Sequence, residues 1–101
     1  MRTFNYTLQR EGNELTIFFE GKLDSVYSLE LEDHLEPALK GVKKLVLDFQ
    51  KLHYISSAGL RILLTCKLTM NEQGEMKIRN IDPQVMQVLS ITGFANDIII
   101  E

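Results

Sequence analysis

Hydrophobic and polar residues alternate near the start of the chain, over positions 4–8 and again over 15–19. A period of two is typical of strands that bury one face. The turn residues Glu11-Gly12-Asn13 lie between these two stretches. The pattern therefore predicts a hairpin of two strands, the second of which ends at Gly21.

The spacing of hydrophobic residues becomes helical from about Val26, which predicts a first helix. Ser25 or Ser28 is the expected N-cap, since a hydroxyl can accept a hydrogen bond from the first turn. Pro37 predicts a kink or a break in the last turn, because proline lacks the N–H that a helix interior needs. Gly41 is expected to mark the C-terminal end of this helix.

The second helix is expected to begin at 56–59, after a loop over 50–55. Its predicted buried stripe is formed by Leu60, Leu63, Leu64, Leu68 and Met70. Asp82-Pro83 predicts the start of a third helix, with Asp as the cap and Pro at the first helical position; Gly93 is its expected end.

Three further stretches, 44–49, 76–79 and 98–100, have the character of strands. Hydrophobic residues follow one another over 45–47, as in a parallel sheet with both faces covered. The predicted order is β-β-α-β-α-β-α-β, and strands joined through helices pair in parallel. We therefore expect an α/β fold, with a mixed, mostly parallel sheet of about five strands flanked by three helices.

The composition predicts a small acidic domain. With 45% hydrophobic residues, positions 1–101 can form one core and are expected to be a single domain. The net charge of −3 argues against a nucleic-acid partner. No apolar run approaches the ~20 residues that cross a bilayer, so no membrane partner and a cytoplasmic location are expected. Cys66 is the single cysteine, and we interpret it as a buried thiol in a reducing compartment.

The sequence contains no recognisable catalytic or cofactor motif. His34 and His53 are 19 positions apart, which is not a metal-ligand spacing, and no metal site or cofactor is expected. A small α/β enzyme of the flavodoxin or thioredoxin type would need a glycine-rich phosphate loop or a C-x-x-C pair, and neither is present. A binding module is therefore favoured over an enzyme.

The junction from Tyr54 to Arg61 has two interpretations. In the first, Ser57 is simply the N-cap of the second helix, with its oxygen near the N–H groups of Gly59 and Leu60. In the second, Ser57 is a phosphorylation switch. Free N–H groups and the helix dipole favour an anion there, so a phosphate would alter the surface without unfolding the domain.

The same junction resembles the STAS domains, most closely the single-domain anti-sigma-factor antagonists of bacteria. The segments that carry the resemblance are Gly21-Lys22-Leu23-Asp24, Leu45-Val46-Leu47-Asp48-Phe49, Ile55-Ser56-Ser57-Ala58-Gly59-Leu60-Arg61-Ile62-Leu63-Leu64, Gly74 and Ile91-Thr92-Gly93-Phe94. The resemblance implies that Ser57 is the phosphoacceptor. It also implies two partners, an anti-sigma factor that is an ATP-dependent serine kinase and a metal-dependent serine phosphatase. The ATP and the metal belong to those partners.

The chain departs from the family pattern at three places. Family members often have Asp where this chain has Ser56, so Ser56 is an alternative acceptor, and often Ser or Thr where it has Ala58. The last helix of many relatives has no counterpart after the final strand. Its absence predicts open apolar surface near Ile98 and Ile100, which a second copy could cover in a weak homodimer.

The resemblance places the contact surface for the partner around the acceptor. The residues expected there are Leu23, Asp24, Ser56, Ala58, Gly59 and Arg61, with exposed parts of the second helix. Asp24 has an equal claim as a helix cap. Gly59 is expected to keep space beside the acceptor hydroxyl. The alternative function with the same fold is a constitutive accessory subunit of a lipid-transport or signalling complex.

Overall fold

The computed structural model describes residues 2–93 and 98–101. Its strands are β1 (Phe4–Glu11), β2 (Glu14–Leu23), β3 (Lys44–Ile55), β4 (Glu75–Arg79) and β5 (Ile99–Ile100), and its helices are α1 (Ser25–Leu39), α2 (Ser57–Gln73) and α3 (Pro83–Ile91). The described strands form one sheet in the order β1-β2-β3-β4-β5. β1 and β2 are an antiparallel hairpin, and every other neighbouring pair is parallel. The predicted mixed α/β fold is confirmed. Phe94, part of the resemblance, lies outside the described residues.

The core lies between one face of the sheet and the helices. Alternate residues of β2, beginning at Leu15, join buried residues of all three helices in one hydrophobic cluster. The intervening residues of β2, such as Thr16 and Phe18, point to the other face of the sheet and are half-buried. On β3, residues 45–49 are all buried, as the consecutive hydrophobic pattern predicted.

Two predicted strand ends are wrong, because β2 continues beyond Gly21 to Leu23 and β3 includes the predicted loop over 50–55. The parallel pairing of β2 with β3 shifts register twice, between Phe18 and Glu20 and between Gly21 and Lys22. Both extra residues lie on β3 and interrupt its period of two. On β2 the alternation continues from Leu15 to Leu23, and Gly21 lies within the strand although glycine is a common end signal.

The N-cap of α1 is Asp24, which confirms the capping role offered for it beside partner contact, and the prediction of Ser25 or Ser28 is wrong. The Asp24 carboxylate accepts hydrogen bonds from the N–H groups of Val26 and Tyr27 at 3.1 and 3.0 Å. Ser28 is buried inside the helix, where its hydroxyl donates to the carbonyl oxygen of Asp24 at 2.7 Å. The cap is therefore set by the first residue after β2.

The last turn of α1 tolerates Pro37 without the predicted break. The helix continues through Pro37 to Leu39. A proline this close to the end removes only one of the last hydrogen bonds of the helix, and the final turn buries Leu39 as compensation. Gly41, just beyond the helix, has a φ of +74°, which agrees with its predicted role at the end.

The buried face of α2 differs from the predicted stripe. The helix buries Gly59, Ile62, Leu63, Cys66 and Met70. Leu64 and Leu68, which the pattern placed in the core, are 44% and 58% exposed. The helix carries hydrophobic residues around much of its circumference, so spacing alone does not determine which side faces the sheet.

Cys66 is buried, as predicted, and is 1% exposed. Burial raises the pKa of its thiol to about 12.

The end of the described chain corrects the prediction of open apolar surface. Ile98 is buried at 7% exposure, and Ile100 is half-buried against the core. The exposed residue in this strand is Ile99, between them, at 54%. The alternation of a strand places Ile98 and Ile100 on the covered face, so the surface that the pattern assigned to a second copy is mostly filled.

Candidate functional site

The carboxyl ends of β2 and β3 bring the starts of two helices together. Leu23 and Ile55 are paired across the two parallel strands, and the Ser56 N–H donates to the Leu23 carbonyl oxygen at 2.9 Å. Helix α1 begins two residues after Leu23, and α2 begins two residues after Ile55. Ser25 and Ser57 are therefore equivalent first residues of neighbouring helices at one edge of the sheet.

Ser56, and not Ser57, is the N-cap of α2. Ser56 is extended, with φ −86° and ψ 173°, and its hydroxyl oxygen accepts from the Gly59 N–H at 3.2 Å. Its carbonyl oxygen accepts from the Leu60 N–H at 2.9 Å. The pairing of Ser56 with the end of β2 holds the extended conformation that a cap requires. The first interpretation of Ser57, as a structural cap, is thus wrong.

Ser57 is exposed as the first helical residue of α2. Within residues 2–93 and 98–101, its hydroxyl has no hydrogen-bond partner. The N–H groups of Ser57 and Ala58 also lie in the first turn, where a helix provides no internal acceptor. This end carries the positive pole of the helix dipole. The position can therefore accommodate added negative charge next to an accessible hydroxyl.

Two residues of the predicted contact surface are in the core instead. The side chain of Leu23 is 0% exposed. Gly59 is buried, and a Cβ atom at that position would lie 2.7 Å from Cγ1 of Ile55 and 3.1 Å from Cδ2 of Leu23. Gly59 therefore faces the sheet and allows α2 to approach it closely, so its predicted place beside the acceptor hydroxyl is wrong.

The other predicted contact residues remain at the surface. Ser56, Ala58 and Asp24 are half-buried, and Asp24 is engaged as the cap of α1. Arg61 lies one turn after Ser57, with a 64% exposed side chain whose Nη2 is 3.8 Å from Oε2 of Glu32 on α1. An ion pair this exposed contributes little stability, so the guanidinium is available to other partners.

Sequence reasoning assigned Ser25 only a capping role and did not place it beside Ser57. The signal that could have found it is the common spacing of the two segments, Leu23-Asp24-Ser25 and Ile55-Ser56-Ser57. In each, a strand ends on a buried aliphatic residue, the next residue caps the helix, and an exposed serine follows.

Asp48 is a buried carboxylate, 5% exposed, away from Ser57. It accepts hydrogen bonds from Nε of Arg79 at 2.8 Å, the Gln50 N–H at 3.0 Å and Nδ2 of Asn80 at 3.2 Å. Burial alone raises the pKa of the Asp48 carboxyl, but these hydrogen bonds outweigh that effect, and its pKa lies below the ordinary value. Asp48 thus joins β3 to the end of β4.

The described residues hold no cluster of three or more His, Cys, Asp or Glu side chains that could bind a metal ion. In the same part of the chain, no helix has the length and apolarity needed to span a membrane.

Several known proteins are similar to this chain in sequence or in fold. The family model of the STAS domain matches residues 5–101. A protein of Bordetella bronchiseptica named as a candidate anti-sigma factor antagonist, BtrV, is 37% identical over 90 residues, which are 87% of this chain and 78% of that protein. A STAS-domain containing protein of Pseudomonas aeruginosa is 27% identical over 85 residues, 83% of this chain and 84% of its own length.

The similar solved structures include the anti-sigma factor antagonist SpoIIAA in its unphosphorylated form, with a TM-score of 0.85 and 18% identity over 96% of this chain and 88% of that one. The Bacillus cell fate determinant SpoIIAA in the phosphorylated form has a TM-score of 0.77 and 17% identity over 96% of this chain and 91% of that one. Because the family model spans nearly the whole sequence and the folds agree, this chain belongs to the STAS domain family.

Proposed function

We propose that this chain is an anti-sigma factor antagonist whose binding is switched by phosphorylation of Ser57. The observation that carries the proposal is the exposed hydroxyl of Ser57 on the first residue of α2, directly after the cap. A relative at 37% identity is named as a candidate anti-sigma factor antagonist. The fold is also similar to SpoIIAA, whose solved structures include an unphosphorylated and a phosphorylated form.

In the proposed cycle, the unphosphorylated chain binds an anti-sigma factor in the cytoplasm and so frees the sigma factor. That anti-sigma factor is also an ATP-dependent serine kinase. It transfers the γ-phosphoryl group of ATP to Oγ of Ser57, with ADP as the leaving group and the hydroxyl proton passing to a base of the kinase. A metal-dependent phosphatase later hydrolyses the phosphoserine. This chain supplies the accepting hydroxyl and the docking surface and performs no catalysis.

The position of Ser57 explains how one phosphate can change binding without unfolding the chain. A phosphate adds roughly −1.5 to −2 charges at neutral pH. At the start of α2, the dipole and the free N–H groups stabilise that charge. The same charge projects from the exposed surface beside Ala58 and Arg61. A partner that docks there would have to remove the water around the phosphate, which costs free energy. Docking is therefore disfavoured while the fold persists.

Ser56 is the weaker alternative as acceptor. Its hydroxyl oxygen already caps α2 through the Gly59 N–H, and the residue is half-buried. A phosphate on Ser56 would disrupt the hydrogen bond from the Gly59 N–H, which holds the first turn of α2. Ser57 has neither constraint.

The test is to incubate the chain with its ATP-binding anti-sigma factor and ATP and to measure the intact mass. One added phosphate is expected on the native chain and on Ser56→Ala, and none on Ser57→Ala. Ser25→Ala is the matched control, because Ser25 is the exposed first residue of the neighbouring helix. A phosphate retained in Ser57→Ala would contradict the proposal, and its loss in Ser25→Ala would move the site to α1.

Binding provides a second test. Ser57→Asp is expected to weaken the complex with the anti-sigma factor and to leave the Tm nearly unchanged, because a carboxylate in the first turn is compatible with the helix dipole. A large fall in Tm would instead make Ser57 a structural residue.

A further inference from the structure

A cavity of about 250 Å³ lies on the face of the sheet opposite the hydrophobic cluster. We refer to this face as the outer face. Thr7, Phe18 and Asp48 line the cavity from β1, β2 and β3. Thr7 pairs with Phe18, and Phe18 with Asp48, so their side chains point to the same side of the sheet.

An irregularity in β3 brings a positive charge to this cavity. Asp48 pairs with Phe18, but Lys51 pairs with Glu20, so β3 has one extra residue over this interval. Gln50 and Lys51, at the bulge, are exposed and line the cavity. Bulges commonly redirect side chains beside functional sites. The cavity therefore combines a half-buried aromatic ring with an exposed amide and an exposed ammonium group.

Arg79 adjoins the cavity from the end of β4. Its guanidinium carbon is 5.8 Å from the centroid of the Phe18 ring, and its Nε donates to Oδ2 of Asp48 at 2.8 Å. Asp48 is itself fixed, because the Gln50 N–H and Nδ2 of Asn80 donate to its two carboxylate oxygens. The guanidinium is therefore held in one orientation by a buried carboxylate and an aromatic ring.

Arg79 also has donors that remain available. Its side chain is 38% exposed, and no described residue accepts a hydrogen bond from its Nη1 or Nη2. Arg2 shows a similar arrangement in which these donors are occupied. Its guanidinium carbon is 4.9 Å from the centroid of the Tyr27 ring, and its Nη1 and Nη2 donate to the two carboxylate oxygens of Glu30 at 3.2 and 3.0 Å. An arginine stacked on a ring thus binds a carboxylate elsewhere in this chain.

We propose that the cavity binds a small organic acid with a flat apolar body, and that Arg79 holds the carboxylate of this acid. The Phe18 ring offers a surface on which a flat apolar group can stack. The Nη1 and Nη2 groups can form two parallel hydrogen bonds to a carboxylate, and Lys51 adds a second positive charge. The inference does not rest on the proposed phosphorylation of Ser57.

The charges around the cavity favour a carboxylate over a phosphate. Glu20 lines the cavity together with Asp48, so two carboxylates balance the charges of Lys51 and Arg79. Like charges brought together are costly, and a dianion would meet no excess of positive charge here. A carboxylate carries one negative charge, and the fork of Arg79 suffices to pair with it.

The probe is benzoate, titrated into the ¹⁵N-labelled chain and followed by NMR. Saturable shifts are expected at the amides of Thr7, Phe18 and Gln50 and at the Nε–H of Arg79, with a Kd of about 1 mM or lower. Benzamide has the same ring without the charge, and acetate has the charge without the ring. Both are expected to bind about tenfold more weakly or less. Absence of saturable benzoate shifts at these residues would overturn the proposal.

Two variants test the cations. Arg79→Lys keeps the charge but loses the paired donors, and the Kd for benzoate is expected to rise about tenfold. Arg2→Lys is the matched control and should leave this Kd unchanged, because the donors of Arg2 already bind Glu30. Since Arg79→Lys also alters the contact with Asp48, Lys51→Gln at an exposed position provides a second test that preserves the fold. It is expected to raise the Kd about threefold with an unchanged Tm.

Three other results would each overturn the proposal. An unchanged Kd in both Arg79→Lys and Lys51→Gln would show that the cations of the cavity do not hold the carboxylate. Tighter binding of phenyl phosphate than of benzoate at the same residues would make this a phosphate site. Shifts confined to the first turn of α2, around Ser57, would mean that the start of the helix attracts the anion and the cavity does not.

Discussion

Ser56 and Ser57 carry the same side chain at adjacent positions but meet different surroundings. Ser56 is paired with the end of β2 and uses its hydroxyl oxygen to bind the Gly59 N–H. Ser57 follows at the surface, on the first residue of the helix. One residue of displacement along the chain therefore separates a structural hydroxyl from an available one.

We expect Ser56→Ala and Ser57→Ala to differ in stability. Loss of the Ser56 cap is expected to lower the free energy of unfolding by about 1 kcal/mol, because the Gly59 N–H loses its acceptor. Ser57→Ala is expected to stay within about 0.5 kcal/mol of the native chain, as for an exposed residue without partners. Urea denaturation monitored by circular dichroism measures both. An equal loss in the two variants would contradict the assignment of the cap.

Cys66 is expected to be unreactive in the folded chain. Burial raises its pKa to about 12, so almost no thiolate is present at pH 8, and the thiol is also out of reach of solvent. Alkylation by iodoacetamide should be slow in buffer and fast in denaturing urea, where the pKa returns to roughly 8.5. Rapid alkylation of the folded chain would show that α2 opens at this point.

At the scale of the elements, the first turn of α2 packs closely against the strand ends. Gly59 lies where the helix meets Ile55 and Leu23, and the space there does not admit a Cβ atom in ordinary contact. This close approach fixes the first turn of α2, and with it Ser57, against the edge of the sheet. A glycine in a helix interior costs stability, and here packing compensates for that cost.

Gly59→Ala is therefore expected to lower the free energy of unfolding by about 1–3 kcal/mol, as overpacking does, although alanine is the better helix former. In an Ile55→Ala background, the loss is expected to be smaller, because the atom 2.7 Å from the new Cβ is gone. Thermal unfolding of the four chains of this cycle checks both statements. Additive losses would show that Ile55 is not the obstacle.

The sequence predicted the order of the strands and helices correctly, but it predicted their first and last residues less well. The cap of α3 was found correctly because Asp82-Pro83 is a local signal, and Asp82 does accept from the Gln84 N–H at 2.8 Å. The end of β3 was missed because two extra residues interrupt its alternation, and the end of β2 because Gly21 signals a stop that the strand does not make. The exposed side of α2 was missed because hydrophobic residues occur on more than one of its faces.

In the molecule as a whole, Asp48 connects strands that are distant in sequence. Its carboxylate binds Arg79 at the end of β4 and Asn80 just beyond it, and Arg79 also lies over the ring of Phe18 on β2, 5.8 Å from its centroid. These contacts span β2, β3 and β4 on the face of the sheet opposite the hydrophobic cluster. Asp48 therefore stabilises the sheet that supports both helix starts.

Asp48→Asn is expected to cost about 2 kcal/mol at pH 7, since hydrogen bonds from charged donors are lost. The folded pKa of Asp48 is below its unfolded value of about 3.9, so the native chain binds fewer protons when folded. Its contribution is thus complete above the unfolded pKa and lost as the pH falls through the folded pKa. The difference between native and variant in urea denaturation should therefore shrink below about pH 4.

The control for this prediction is Asp33→Asn on α1, where the carboxylate is exposed and makes no hydrogen bond to the described residues. It should change the free energy of unfolding by less than about 0.5 kcal/mol at pH 7. A difference for Asp48→Asn that is constant from pH 7 to pH 3 would mean that its charge contributes nothing to stability.

The sequence by itself determined the order of strands and helices, the mostly parallel pairing, and the segment that contains the candidate acceptor. These follow from periodicity and from local signals such as caps and turns, which act over a few residues. That reasoning left Ser57 as either a cap or a phosphorylation switch, and the family resemblance favoured the phosphoacceptor. The burial of Cys66 was also predicted, because a single unpaired cysteine is most often a small buried residue.

Only the tertiary structure decided which of two adjacent serines caps α2, which side of α2 faces solvent, and whether Leu23 and Gly59 reach the surface. The pairing of Leu23 with Ile55 joins positions 32 residues apart, and the approach of α2 to the strand ends depends on that pairing. Such contacts arise from the packing of distant segments. A local sequence pattern therefore determines these contacts only weakly. The geometry around Ser57 depends on the pairing of strands within the folded sheet.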